Sequence, residues 1–137
     1  MSGAQGPFHM AATGLAAFGL PVLPLRTLAK SPAVRNWQRV ATADPERAGL
    51  LVRRHGGCNI GIAAGAGLVV LDIDTKHGKD GYASLRALEA EHGPLPATVA
   101  AQTPTGGAHL YFRVPVSVHV PGSVDRLGPG LDVRGAT

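Results

Sequence analysis

The sequence predicts an α+β fold, a sandwich in which helices cover sheet, and three observations predict it. Short β-branched runs bounded by glycine alternate with stretches of helical spacing, in the order α-β-α-β, then β-α-β-β and a final strand. The chain has 137 residues, enough for one domain, 1–137, with a real core and too few for two. With 19 glycines, 11 prolines and 4% aromatic residues, the composition suits many short elements joined by tight turns.

Taken in order, residues 1–7 carry no pattern and are expected to be disordered. Phe8 to Phe18 has helical spacing, with Met10, Leu15 and Phe18 expected on its buried face and Gly19 as its stop. Leu20 to Leu25 is a brief extended piece held by Pro21 and Pro24, followed by a loop through Lys30-Ser31-Pro32 to Trp37. Asp44-Pro45-Glu46 opens a second helix, Asp44 capping it and Pro45 in its first position. That helix runs through Leu50, Leu51 and Val52 to Gly56-Gly57, where Asn59 to Ala63 begins a strand. Gly65-Ala66-Gly67 turns the chain into Leu68-Val69-Val70-Leu71-Asp72-Ile73-Asp74, an apolar run too short for a helix and ending in two carboxylates. A charged loop leads to a helix from Tyr82 to His92, with Tyr82, Leu85 and Leu88 facing inward and Gly93-Pro94 ending it. Thr98 to Thr103 and Ala108 to Val114 read as a hairpin around Pro104-Thr105-Gly106-Gly107, and Leu131 to Arg134 as a last strand.

The totals exclude several functions. One cysteine, Cys58, rules out an internal disulfide framework and points to a reducing, cytoplasmic compartment. No apolar run reaches the length of a membrane span, and the stretch near the N-terminus lacks the basic region of a signal peptide. Scattered histidines without paired Cys/His spacing argue against zinc. The net charge of +4 permits a polyanionic partner, and arginines, which suit bidentate phosphate contacts, supply most of it. A genomic bias toward arginine codons explains that charge equally well.

Alternation carries the functional argument. Along a strand, successive side chains point to opposite faces, so Val70, Asp72 and Asp74 share one face while Val69, Leu71 and Ile73 share the other. The Asp72 and Asp74 Cα atoms would lie about 6.7 Å apart, close enough to hold one divalent ion or bridge two. In the hairpin His109, Tyr111 and Arg113 alternate with apolar residues, and in the last strand Asp132 and Arg134 do the same. If the three strands share a sheet, one face gathers Asp72, Asp74, His109, Arg113, Asp132 and Arg134. Each taken alone has a plainer reading: a strand end meeting solvent, a structural histidine, a hairpin turn, a local ion pair. Their common parity favours a site. Carboxylates suit Mg²⁺ or Mn²⁺, and basic groups with glycine amides suit a triphosphate, the parts that nucleotidyl transfer needs.

These residues also carry a family resemblance. Pro24-Leu25, Lys30-Ser31-Pro32, Trp37, Ala41 to Asp44, Asn59 to Ala63, Leu68 to Asp74, Gly81 with Ser84-Leu85, Thr103 to Phe112 and Leu131 to Gly135 stand in order at ordinary spacing. Together they resemble the bifunctional primase–polymerase (Prim-Pol) N-terminal domain of the archaeo-eukaryotic primase superfamily. The resemblance implies an N-terminal αβ unit packed on an RRM-like βαββ unit with the active site between them. It implies Asp72, Asp74 and Asp132 as catalytic metal ligands for Mg²⁺ or Mn²⁺. It places His109 against the phosphates of the incoming nucleotide, with Thr105, Gly106, Gly107 and Arg134 as further nucleotide-binding positions. Lys30 and Trp37 fall in a recurring segment without an assigned role. Domains of this family usually continue with another strand, so the C-terminal part of the domain is expected to be missing here.

The function expected is template-directed nucleotidyl transfer, primer synthesis and extension, in the replication of a plasmid, phage or mobile element. The expected partners are single-stranded DNA, NTPs or dNTPs, and a replicative helicase, with no membrane. Two alternatives stand beside it. One is a catalytically inactive, nucleotide- or single-stranded-DNA-binding remnant of such a domain. The other is a glycosyltransferase using Asp-x-Asp, which leaves the parity of His109 and Asp132 unexplained.

Overall fold

The computed structural model describes residues 7–56 and 58–135, and the chain divides into two compact units, the first ending at Ala63 and the second beginning at Ala64. The expectation of disorder over residues 1–7 lies outside the described residues except at Pro7, which opens the first helix. Among the described residues no helix is long and apolar enough to cross a membrane.

The first unit contains α1 (Pro7–Ala17), β1 (Val22–Leu25), α2 (Trp37–Val40), α3 (Pro45–Arg54) and β2 (Asn59–Ile62). Asp44 caps α3 as its sequence predicts: its Oδ1 accepts from the Glu46 amide at 3.0 Å and, weakly, the Arg47 amide at 3.5 Å. Such a cap is worth about 1 kcal/mol. β1 and β2 pair antiparallel, Val22 opposite Ile62 and Leu25 opposite Asn59. The core is built from small side chains, Ala12, Ala16, Val22, Ala48, Val52 and Cys58, with Leu15, Ile60 and Ile62 packed against them.

That core corrects the expected buried face of α1. Leu15 does pack inward, but Met10 is 63% and Phe18 70% exposed, while Ala12 and Ala16 are buried. The reason is the close packing of α1 on α3. Gly49 of α3 leaves room for the His9 ring, whose Nε2 lies 2.6 Å from where a Cβ would stand. Small residues let the two helices approach, and bulky apolar ones are left outside. A further difference is α2, a single helical turn at Trp37 within the expected loop.

The second unit contains β3 (Leu68–Ile73), α4 (Gly81–His92), β4 (Val99–Gln102), β5 (Ala108–Arg113) and β6 (Leu131–Arg134). Its four strands form one antiparallel sheet in the order β4-β5-β3-β6, which makes the acidic strand central. Tyr82, Leu85 and Leu88 of α4 pack against Leu71, Ile73, Ala108 and Leu131, as their spacing predicts. Ile73 and Leu131 are 2% and 0% exposed. Each such burial contributes about 1.5–3 kcal/mol before entropy is counted. With one face of the sheet committed to α4, alternation sends the ionisable residues to the other.

Candidate active site

The strand register draws the predicted residues into one row. Asp72 on the central strand stands directly opposite His109 of β5 on one side and Asp132 of β6 on the other. His109 Nε2 lies 3.4 Å from Asp72 Oδ1. Arg134, one pleat farther along β6, aims Nη2 between the two carboxylates, 3.8 Å from Asp72 Oδ2 and 3.5 Å from Asp132 Oδ2. The carboxylates are partly withdrawn from water, at 23% and 15% side-chain exposure. Like charges directly opposite on neighbouring strands are destabilising. The Arg134 guanidinium offsets them with its charge, and the His109 ring stands beside Asp72.

Asp74 takes a different position. β3 ends at Ile73, and the Asp74 side chain folds back so that Oδ1 accepts from the Lys76 amide at 2.9 Å. An aspartate that bonds the backbone two residues on forms an Asx turn. That bond, followed by the charges of Lys76, Lys79 and His77, holds the Asp74 carboxyl below its ordinary range. The Asp74 backbone is also clamped: its amide donates to Gly130 O at 2.7 Å, and its carbonyl accepts from the Gly81 amide at 3.0 Å. A Cβ at Gly81 would come within 2.5 Å of Gly130 O, so three backbone segments meet here with no space for a side chain.

The hairpin turn reaches this same strand end. The Thr75 hydroxyl donates to Thr105 O at 2.8 Å, and the Tyr82 hydroxyl to Gly106 O at 3.1 Å. Gly106 has a φ of +90°, and a Cβ at Gly107 would stand 2.2 Å from Ile73 O. Thr105, Gly106 and Gly107 are therefore fastened at the end of β3, beside the residues that follow Asp72. Tyr111 shares the polar face, opposite Val70; burial and then the charge of Asp72 push its hydroxyl pKa up. Arg113 stands opposite Leu68, two rows from Asp72.

Two residues of the arrangement had no motif to mark them. The Asp125 amide donates to Asp132 Oδ1 at 3.0 Å, and Asp125 Oδ1 accepts from the Gly130 amide at 2.8 Å. Asp125 Oδ2 takes a bond from Lys79 Nζ at 2.5 Å. The Lys79 ammonium lowers the Asp125 carboxyl pKa, and Asp125 in turn raises that of Lys79. Lys79 and Asp125 thus tie the loop after Asp74 to the loop that supports Asp132. They are 46 positions apart in the chain, and only the fold makes them partners.

Asp72 and Asp132 offer hard oxygen donors on adjacent strands, a set that fits Mg²⁺ or Mn²⁺. Among the described residues no group of three or more His, Cys, Asp or Glu side chains is gathered closely enough to hold an ion. The paired carboxylates are together, and that of Asp74 is turned to its own loop.

A family model described as bifunctional DNA primase/polymerase, N-terminal (Prim-Pol), matches residues 12–137. Comparison with curated proteins found no match.

Proposed function

The chain belongs to the bifunctional DNA primase/polymerase N-terminal family, whose α+β primase fold it shares, and on that premise we propose that it carries out template-directed nucleotidyl transfer. The substrates are a single-stranded DNA template and nucleoside triphosphates. The reaction joins a 3′-oxygen to the α-phosphorus of the incoming nucleotide, with release of pyrophosphate and loss of the hydroxyl proton. One observation carries this reading: the row His109–Asp72–Asp132, with Arg134 set between the carboxylates.

In this reading Asp72 and Asp132 would hold Mg²⁺ or Mn²⁺, and Asp74 would join them only by releasing the Lys76 amide. When bound there, such an ion would supply charge neutralisation at the triphosphate and would acidify the attacking hydroxyl. His109 and Arg134 contact phosphate oxygens as donors, Arg134 through a planar fork suited to them. The amide of Gly107 and the hydroxyl of Thr105 line the approach of the triphosphate, while the Gly106 amide donates to Thr103 O at 3.1 Å and shapes the turn that presents them. Holding the turn against the end of β3 keeps these donors in place before the nucleotide arrives, and such preorganisation accounts for much of the electrostatic stabilisation a site delivers.

Primer extension on a defined template with Mg²⁺ or Mn²⁺ is the test. Asp72→Asn should lower incorporation by at least about 10²-fold, the scale of losing a principal charge-stabilising group. Incorporation unchanged by Asp72→Ala together with Asp74→Ala would remove the assignment. A second reading, nucleotide binding without turnover, draws support from the Asp74 carboxylate being engaged by the Lys76 amide. Metal-dependent nucleotide binding with no incorporation by the unmodified chain would establish that reading instead.

A further inference from the structure

The net positive charge of this protein comes from one unit. Residues 1–63 contain seven Lys and Arg against two Asp and Glu, a balance of +5, and residues 64–137 contain six against seven, a balance of −1. The two sum to the +4 of the whole chain. The acidic site therefore belongs to a nearly neutral unit, and the basic excess of the other has no role in the chemistry above.

Within the basic unit, three arginines converge. Arg39 at the end of α2 and Arg47 and Arg54 on α3 line a groove of about 350 Å³ with Thr42, Leu50 and Leu51. On α3 the spacing 47, 50, 51, 54 places these residues along one stripe, two turns long. Among the described residues none of the three guanidinium groups enters an ion pair. Leu50 is 47% exposed and gives the groove an apolar patch beside its charges. Arginine forks, an open groove and an exposed apolar side chain together match an extended strand, whose phosphates take the forks while a base or sugar rests on the leucine.

We propose that this groove binds the phosphodiester backbone of single-stranded nucleic acid, as a contact separate from the acidic row. The proposal rests on the function above for the identity of the strand, but its chemistry does not depend on catalysis. Each arginine that neutralises a phosphate of a single strand contributes about 0.7 to the slope of log K against log salt. Binding should be tolerant of sequence, because backbone contacts carry no base information.

The experiment is fluorescence anisotropy of the full chain with labelled oligo(dT) and oligo(dA) at several salt concentrations. Arg39→Gln, Arg47→Gln and Arg54→Gln should each lower the salt slope by about 0.7, and the triple variant by about 2, on both oligonucleotides. The Arg→Lys triple variant should keep the slope, because charge is retained. Arg53→Gln, on the same helix but outside the groove, should leave it within about 0.2. Equal losses from Arg53→Gln and the groove variants would show diffuse attraction and overturn the proposal. So would oligonucleotide affinity that the Gln triple variant does not change, or competition by a free nucleotide as strong as by the oligonucleotide. A chain that binds strands through these arginines but incorporates no nucleotide would uphold the groove and refute the enzymatic reading. Incorporation without any arginine dependence of binding would do the reverse.

Discussion

Gly107→Ala probes whether the turn must lie hard against the acidic strand. The added Cβ would stand 2.2 Å from Ile73 O and 3.0 Å from Thr103 Oγ1. Ordinary contact for such a carbon begins at about 3.5 Å, so turn and strand must part by roughly 1 Å. Both sides of the clash with Ile73 are backbone, and no rotamer change relieves it. Parting them stretches the Thr75–Thr105 and Tyr82–Gly106 hydrogen bonds, which start at 2.8 and 3.1 Å. Overpacking costs about 1–3 kcal/mol, and each weakened bond adds about 0.5–1. The sum, about 2–5 kcal/mol, corresponds to a fall in Tm on the order of 10 °C for a domain of this size. His109 lies two residues beyond the turn, and a displacement of about 1 Å at a reacting site can cost about 10²-fold in rate. Calorimetry and primer extension on the same preparation read both effects. A Tm within about 2 °C of the parent, with incorporation essentially unchanged, would refute the idea that this contact shapes the site.

Gly14→Ala is the natural contrast, since nothing lies within 4 Å of the new Cβ in α1. It should stabilise the chain by about 0.5–1 kcal/mol, read from the urea midpoint, and a loss of stability would contradict the exposed setting. Leu131→Ala removes a side chain that is 0% exposed beside Asp132 and should cost about 2–5 kcal/mol in the same measurement. Asp125→Asn keeps the acceptor for Gly130 but discards the ion pair with Lys79. Because the folded state lowers the Asp125 pKa, the pair's stabilisation is present above the ordinary carboxylate value, about 3.9, and lost as pH falls through the folded value. Because Lys79 is raised, the same stabilisation is present below about 10.4 and lost as pH rises through the folded value. Parent and variant, unfolded in urea without added metal, should therefore differ most between about pH 5 and 9 and converge at both extremes. A pH-independent difference would mean that the pair contributes through packing rather than charge.

Much of the site was legible because parity is a local property. Asp72, His109, Asp132 and Arg134 alternate with apolar neighbours, and burying those neighbours under α4 leaves only one face for the charged set. The Asp44 cap, the Tyr82, Leu85 and Leu88 stripe and the hairpin were readable for the same reason. The inward face of α1 was not. Hydrophobicity favours Met10 and Phe18, whereas helix packing selected Ala12 and Ala16, because two helices in close contact leave no volume for larger side chains. Asp74 parted from its pair where the strand gave way to an Asx turn, a choice between backbone partners that alternation does not encode.

The sequence by itself determined the order of elements apart from the single turn of α2, the polar face of three strands and the family to which the chain belongs. Local periodicity and motif spacing suffice for these, since each depends on residues a few positions apart. Only the tertiary structure decided the rest. It made β3 the central strand, so that Asp72 meets His109 on one side and Asp132 on the other. It set Arg134 between the carboxylates, joined Lys79 to Asp125 and brought Arg39 to the groove of Arg47 and Arg54. The physical reason is common to all of them. A charge finds its partner through the chain's return, and where the chain returns is settled by burial of the apolar faces.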